Sequence, residues 1–143
     1  MPQVDITLPA NTLNADQKAR LLRTAISLLF KWEGVPENSP NRVFGWAYIH
    51  EMAREDSTTA APGTTTVEKP RYRVAFTVPE GVLNAETKAG LIAEVTQAVA
   101  EVEGTPLEDA RTRITCYILD VAEGGYGVAG QVFHLPPRAA ATP

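Results

Sequence analysis

Few residues in this chain could do covalent or proton-transfer chemistry, and the first of them is Pro2. If Met1 is removed, the nitrogen of Pro2 changes from a tertiary amide without basicity into a secondary amine. Amino termini titrate near ~8, and an apolar pocket lowers that pKa because it disfavours the ammonium form. A neutral amine near physiological pH can take a proton from a carbon beside a carbonyl group. The chain start is therefore a candidate proton-transfer site, provided that Met1 is lost.

The other reactive residue types are scarce. The single cysteine, Cys116, cannot form an internal disulfide, and His50 and His134 are the only imidazoles in the sequence. We therefore expect no metal site and no cofactor. Cys116 is expected to be a buried small residue rather than a nucleophile, and His50 a packed or interface histidine.

The composition narrows the class of protein. The 143 residues suit one domain, and 44% hydrophobic with 21% charged residues is typical of a globular chain. A net charge of -4 lacks the basic footprint of a nucleic-acid-binding protein, so we expect no nucleic-acid partner. No apolar run reaches the ~18 residues needed to span a membrane, and the first residues do not resemble a signal peptide. These features predict a cytoplasmic protein without a membrane partner.

The chain repeats itself at an offset of 70 residues. Residues 13–19 (Leu-Asn-Ala-Asp-Gln-Lys-Ala) align with residues 83–89 (Leu-Asn-Ala-Glu-Thr-Lys-Ala). Further on, Glu-Gly-x-Pro at 33–36 aligns with Glu-Gly-x-Pro at 103–106. Residues 2–36 contain 12 identities in 35 positions at this one offset, which indicates an internal duplication.

Each half is predicted to fold as strand, helix, strand. Residues 3–8 alternate polar and apolar side chains, the period of a half-buried strand, and residues 72–78 repeat the pattern. Second strands are predicted at roughly 43–51 and 113–119.

The helices between these strands have recognisable ends. Asn14 and Asn84 occupy N-cap positions, and Gln17 completes a capping box in the first half. Gly34 and Gly104 are placed to end the helices as C′ glycines.

These elements predict an α+β fold: two tandem βαβ units form a four-stranded mixed sheet with both helices on one face. The chain is then a single domain, with a first unit at 2–54, a Thr/Pro-rich linker at 55–70, a second unit at 71–135 and a tail at 136–143. The other face of the sheet would remain bare and largely apolar. Covering it calls for partner subunits, so we expect a homo-oligomer.

The duplicated pattern resembles the tautomerase superfamily, whose members are built from one or two βαβ units. Pro2 follows the initiator Met, and the Gly-rich run at 119–130 is similar to the hairpin of 4-oxalocrotonate tautomerase. His-Glu-Met at 50–52 is similar to that family's Thr-Glu-Met. In length the chain resembles fused two-unit members, such as the cis-3-chloroacrylic acid dehalogenases and malonate semialdehyde decarboxylases. The resemblance implies a tautomerase/MIF-like fold that assembles as a trimer.

The resemblance also implies a function for the chain start. Pro2 would be the general base of a keto–enol tautomerase acting on a small 2-oxo acid or enol. Such a carbonyl or carboxylate substrate needs groups to bind it, and the candidates are Tyr117, Arg73, Arg113 and Tyr126. Arg113 is expected to lie on the same strand face as Tyr117 because the two are four residues apart.

Some residues that the family uses are replaced here. One arginine of 4-oxalocrotonate tautomerase aligns with Leu13 in the first unit and with Leu83 in the second. The other arginine aligns with Trp46 and Thr115 in the same way. The water-activating glutamate of the dehalogenases falls near Gly130. Hydratase, decarboxylase or dehalogenase chemistry on a 3-carbon acid is therefore an alternative with less support. A non-catalytic, ligand-binding trimer is the other alternative.

Overall fold

The computed structural model describes residues 2–58 and 69–134. Its main elements are β1 (Gln3–Pro9), α1 (Ala15–Glu33), β2 (Trp46–Met52), β3 (Tyr72–Pro79), α2 (Ala85–Glu103), the short α3 (Leu107–Ala110) and β4 (Ile114–Val121). Strands β5 (Gly127–Val128) and β6 (Gln131–Val132) form a small hairpin, and 3₁₀ turns cover Pro40–Phe44, Arg54–Asp56 and Arg111–Arg113. Most of the predicted linker and all of the predicted tail lie outside the described residues.

The four long strands form one mixed sheet in the order β2-β1-β3-β4. The outer pairs, β1 with β2 and β3 with β4, are parallel, whereas β1 and β3 pair antiparallel in the middle. Each unit is therefore a βαβ crossover, and an approximate two-fold axis between β1 and β3 relates the two units. Helices α1 and α2 pack against each other over one face of the sheet. The predicted fold is confirmed.

The core lies between the sheet and the helices. In β1, Val4, Ile6 and Leu8 are fully buried, while the alternate residues Gln3 and Asp5 point away from the helices. β3 shows the same alternation except at Ala75, which is buried although it lies on the other face. The helix residues that close the core are Leu21, Ala25, Leu29, Leu91, Val95 and Val99. Burial of these apolar surfaces is the main force that holds each helix to its sheet face.

Both helices have the predicted ends. The Asn14 side chain accepts a hydrogen bond from the Gln17 backbone nitrogen at 2.8 Å, and the Gln17 side chain accepts one from the Asn14 nitrogen at 2.9 Å. The second half has the same box, with Thr87 in place of the usual Glu or Gln. Gly34 and Gly104 both adopt the left-handed conformation, with φ of 73° and 78°, at the helix C-caps.

A lysine ties each helix to the end of the second strand of its own unit. Lys18 of α1 pairs with Glu51 of β2 at 2.8 Å, and Lys88 of α2 pairs with Asp120 of β4 at 2.5 Å. All four side chains are about one-third exposed, so each pair adds little net stability. The two pairs occupy equivalent places, which shows how closely the duplication extends into the tertiary structure.

The second strands begin later than the sequence predicts. Residues 43 and 44 belong to the 3₁₀ turn Pro40–Phe44, whose start is capped by the Ser39 hydroxyl, so β2 starts at Trp46. In the second half β4 starts at Ile114. A run of alternating residues does not distinguish a 3₁₀ turn from the first residues of a strand. The predicted starts of both second strands are therefore too early.

The placement of Arg113 on the open strand face beside Tyr117 is wrong. Arg113 lies in the 3₁₀ turn before β4 and is 7% exposed. Its guanidinium donates to a carboxylate oxygen of Glu103 at 3.1 Å, to the carbonyl of Asp109 at 3.2 Å and to the carbonyl of Pro70. These contacts tie the end of α2 to the segment that enters β3, so the side chain is committed to the interior.

The open face of the sheet is less apolar than the sequence predicts. Its centre carries Gln3, Thr7 and a hydrogen-bonded pair between Asp5 and His50 at 2.6 Å. Large apolar and aromatic side chains lie on the two edge strands: Trp46, Tyr48, Tyr117 and Leu119. No helix in residues 2–58 and 69–134 is both long and apolar enough to cross a membrane.

Gly90 gives a test of how α1 and α2 pack. A Cβ at this position would lie 2.1 Å from the ring of Trp32. Alanine improves helix propensity by about 1 kcal/mol over glycine, but displacing a packed ring costs more, so Gly90→Ala should destabilise the fold by roughly 1–2 kcal/mol. Urea unfolding measures this difference. In a Trp32→Ala background the same change should be neutral or stabilising, and an equal loss there would contradict the packing.

The buried ion pair gives a second test. Arg113→Met should leave the Glu103 carboxylate without its partner and lower the free energy of unfolding by about 3–5 kcal/mol. Arg111→Met is the matched control because Arg111 is exposed and its ion-pair partner, Glu108, is exposed as well. Its loss should stay below about 0.5 kcal/mol. Similar losses for the two variants in urea unfolding would refute a structural role for Arg113.

Candidate functional site

Pro2 lies directly before β1, at the edge of the sheet where α1 ends. It is buried, and its carbonyl accepts a hydrogen bond from the Trp46 nitrogen at 3.1 Å. The alternation along β1 places Pro2 on the same side as Val4 and Ile6, facing the layer of helices. The strand pairing therefore holds this residue in an apolar environment. If Met1 is removed, such an environment would lower the pKa of the free Pro2 amine.

An aromatic ring from the last turn of α1 closes this end of the sheet. The ring of Phe30 lies 2.4 Å from where a Cβ on Gly45 would be, so only glycine fits directly before Trp46. The Arg42 guanidinium stacks over the same ring, 4.6 Å from its centroid. The fold thus places Phe30 and Arg42 at the end of the sheet where Pro2 lies.

Glu33, the last residue of α1, is the functional candidate that the sequence reasoning missed. Its Oε1 atom is buried and has no hydrogen-bond partner in the part of the chain that the structure describes. Burial raises the pKa of Glu33 to about 7, and the positively charged chain terminus offsets part of that rise. The sequence contains only part of this signal: Glu33 aligns with Glu103, but the arginine partner of Glu103 is visible only in the structure.

The equivalent end of the second unit is closed. Tyr72 occupies the position of Pro2; it is 2% exposed, and its hydroxyl has no partner among the described residues. Burial and the nearby Glu103 carboxylate raise the pKa of Tyr72, while Arg113 lowers it. Tyr72 lies within the chain, so it has no free amine. The two ends therefore differ in chemistry although their backbones match.

Arg73 and Tyr117 lie together on the open face of the sheet. The Arg73 guanidinium is 5.0 Å from the centroid of the Tyr117 ring. In the antiparallel register, however, Arg73 pairs with Thr7, at the opposite end of β1 from Pro2. Five residues of strand separate them, or roughly 17 Å, so a single chain does not bring these side chains to Pro2.

Tyr126 lies in the Gly-rich segment after β4. Its ring packs edge-to-face on Phe133, with centroids 5.8 Å apart, and residues 124–132 line a shallow hollow that is open to solvent. Burial raises the pKa of the Tyr126 hydroxyl. Its aromatic partner thus belongs to the same hairpin, and these contacts do not join it to the chain start.

The remaining titratable candidates have structural surroundings. Burial raises the pKa of the Cys116 thiol, which keeps it in the unreactive protonated form, and its neighbour is the Thr96 hydroxyl. His50 pairs with Asp5 on the open face. Within residues 2–58 and 69–134, no three His, Cys, Asp or Glu side chains cluster closely enough to hold a metal ion.

Comparison with known protein families gives a match for the second unit of the chain. A family model described as tautomerase enzyme matches residues 73–135, which is nearly all of the second unit. No match was found among functionally curated proteins.

Several solved structures share the fold over almost the whole chain. Pt0534, solved after inactivation by 2-oxo-3-pentynoate, is 21% identical with a TM-score of 0.73, over 91% of this chain and 94% of that one. A fused 4-OT solved as a symmetric trimer is 20% identical with a TM-score of 0.71, over 92% and 94% of the two chains. N1, a member of the cis-3-chloroacrylic acid dehalogenase family, is 15% identical with a TM-score of 0.71, over 91% and 82%.

The structural matches establish the fold of both units, and the sequence match identifies the second unit. The duplicated βαβ architecture joins the two findings, since the first unit repeats the second at a fixed offset. The second unit therefore matches the tautomerase family, and both units together have the fold of the fused 4-OT and of the other solved structures named above.

Proposed function

We propose that this protein is a cytoplasmic enzyme that catalyses keto–enol tautomerisation of a small 2-oxo acid or enol, with the Pro2 amine as general base after removal of Met1. The observation that carries the proposal is the placement of Pro2. It is buried, faces the helices and lies at the end of the sheet that the Phe30 ring closes, and such an apolar environment favours the neutral form of an amine. The inactivation of the structurally similar Pt0534 by a 2-oxo acid supports the choice of substrate class.

The reaction needs only one group that can both accept and return a proton. The neutral Pro2 nitrogen takes the hydroxyl proton of the enol, and electron density moves to the neighbouring carbon. The resulting ammonium then gives the proton to that carbon, which yields the ketone and restores the neutral amine. Atoms and charge balance over the cycle, so no cofactor is required.

We propose that a trimer completes the substrate-binding site. Within one chain, Arg73 lies at the far end of β1 from Pro2, Tyr117 lies two strands away from β1 on β4, and Tyr126 lies in a separate hairpin. A second subunit could bring these candidates to Pro2, where a guanidinium and phenol hydroxyls would bind the carboxylate and carbonyl of the substrate. The trimer seen for the structurally similar fused 4-OT supports this assembly. Arg113 is not part of the proposed site because its donors are engaged within the chain.

The proposal requires a free amine at Pro2, and the intact mass of the purified native protein tests this first. We expect a mass lower than that of the full sequence by one methionine residue. A retained Met1 would leave Pro2 as an amide, remove the base and favour the non-catalytic, ligand-binding alternative.

Substitution of the base is the direct test of chemistry. Pro2→Ala should lower kcat/KM for ketonisation of a phenylpyruvate-type enol by about 10²-fold or more, because the tuned secondary amine is lost. Tyr72→Phe is the matched control at the equivalent position of the second unit. It removes a hydroxyl that has no partner in the described structure, so activity and stability should stay at wild-type levels. Full activity in Pro2→Ala would refute the proposed function.

The proposed assembly makes a separate prediction. Leu119, 46% exposed on the open face of β4, should be covered in the trimer, so Leu119→Asp should shift the mass measured by light scattering toward the monomer. Ile92→Asp is the matched control because Ile92 is similarly exposed but lies on α2. A wild-type protein that is monomeric at micromolar concentration would contradict the assembly.

A further inference from the structure

Glu33 is in an unfavourable position for a carboxylate. It is the last residue of α1, where the negative end of the helix dipole disfavours another negative charge. Its Oε1 atom is also buried without a hydrogen-bond partner among the described residues. A buried carboxyl without a partner is destabilising, so its position calls for a compensating group.

The second unit shows what such a group looks like. Glu103 ends α2 as Glu33 ends α1, and its carboxylate pairs with the Arg113 guanidinium at 3.1 Å. The same guanidinium donates to the carbonyl of Pro70, two residues before Tyr72. In the second unit, therefore, the Arg113 guanidinium lies between the end of α2 and the segment that leads into β3.

The first unit has no arginine in that place. Strand register and the 70-residue offset make Phe44 and Val43 the counterparts of Arg113, and both are exposed apolar side chains. Arg42 is directed to the Phe30 ring and to the carbonyl of Val35 instead. Pro2 lies at this same end of the sheet, directly before β1, where its carbonyl accepts a hydrogen bond from the Trp46 nitrogen.

We propose that the Glu33 carboxyl is the partner of the Pro2 amine, holds one proton in common with it and sets the pH at which Pro2 becomes a base. The inference rests on the proposed function, because it requires a free amine at Pro2. The pair carries a single proton in two arrangements, as a carboxylate beside an ammonium or as a carboxylic acid beside a neutral amine. Glu33 is thus a positioning residue that acts on the substrate through Pro2.

The other charged groups on elements packed against α1 do not compete for this role. Lys31 pairs with Glu94 of α2 at 2.6 Å, and Asp5 and His50 of β1 and β2 face the opposite side of the sheet. Lys18 and Glu51 pair at the far end of α1. The remaining groups near the end of α1 are Arg42 and Glu37.

The Glu33 carboxylate favours the ammonium form of Pro2, so its removal should make the amine a base at lower pH. In Glu33→Gln, we expect the acid limb of the pH profile of kcat/KM to move down by roughly one pH unit. The pKa of Pro2, measured by NMR with ¹⁵N-labelled proline, should move by the same amount. Glu37→Gln, at an exposed acid just beyond the helix, should leave both unchanged.

The outcomes separate this inference from the proposed function. If Pro2→Ala retains full activity, the proposed function fails. If Pro2→Ala is inactive but Glu33→Gln leaves the acid limb and the proline pKa unmoved, only the role of Glu33 is overturned. Should Glu33→Gln not fold, the wild-type protein decides: ¹³C-labelled Glu33 and ¹⁵N-labelled Pro2 must titrate with common inflections, and independent titrations would refute the pairing.

Discussion

The antiparallel pairing of β1 with β3 determines where every candidate functional group lies. It joins two parallel βαβ units back to back, so that equivalent ends of the units point in opposite directions along the sheet. Pro2 is therefore far from Tyr72, its counterpart, and equally far from Arg73, which follows that counterpart in the chain. The same pairing leaves one face of the sheet open and puts Trp46 and Leu119 on the edge strands, where another subunit can reach them. A single chain thus has the proposed base, Pro2, at one end of β1 and the substrate-binding candidate Arg73 level with the other end.

The equivalent ends of the two units carry different side chains. In the second unit, Tyr72 fills the end of the sheet, and the buried pair of Glu103 with Arg113 ties the end of α2 to the incoming chain. In the first unit the corresponding carboxyl oxygen, Glu33 Oε1, has no such partner among the described residues. One end therefore holds a buried ion pair, and the other holds a buried carboxyl oxygen that no described group neutralises. This difference lies in a few side chains, since the N-cap asparagines and the C-cap glycines are the same in both units.

Much of the fold could be predicted from the sequence because the relevant signals are local. The 70-residue repeat, the alternation of residues 3–8 and the capping asparagines each depend on neighbouring residues, and together they specify the topology. The boundaries of the second strands and the role of Arg113 could not be predicted in this way. The partner of Arg113 is on a different element, and a 3₁₀ turn resembles the start of a strand. The candidate site was predicted in pieces for the same reason, since the described structure of one chain does not bring Arg73 or Tyr117 to Pro2. Glu33 was missed because an acidic residue at a helix end is usually solvated, and its burial is a property of the tertiary structure.

The lysine pairs at the two helix starts have a consequence for how the chain folds. Lys18 with Glu51 and Lys88 with Asp120 each close a loop within one unit, and each unit also has its own capping box and stop glycine. Contacts within a unit close shorter loops than the pairing of β1 with β3 does, so they cost less entropy and favour a nucleus inside one unit. Such contacts are present twice, at nearly equal separations along the chain. The duplication thus offers two starting points for folding, and the β1–β3 pairing closes the longer loop that spans the linker.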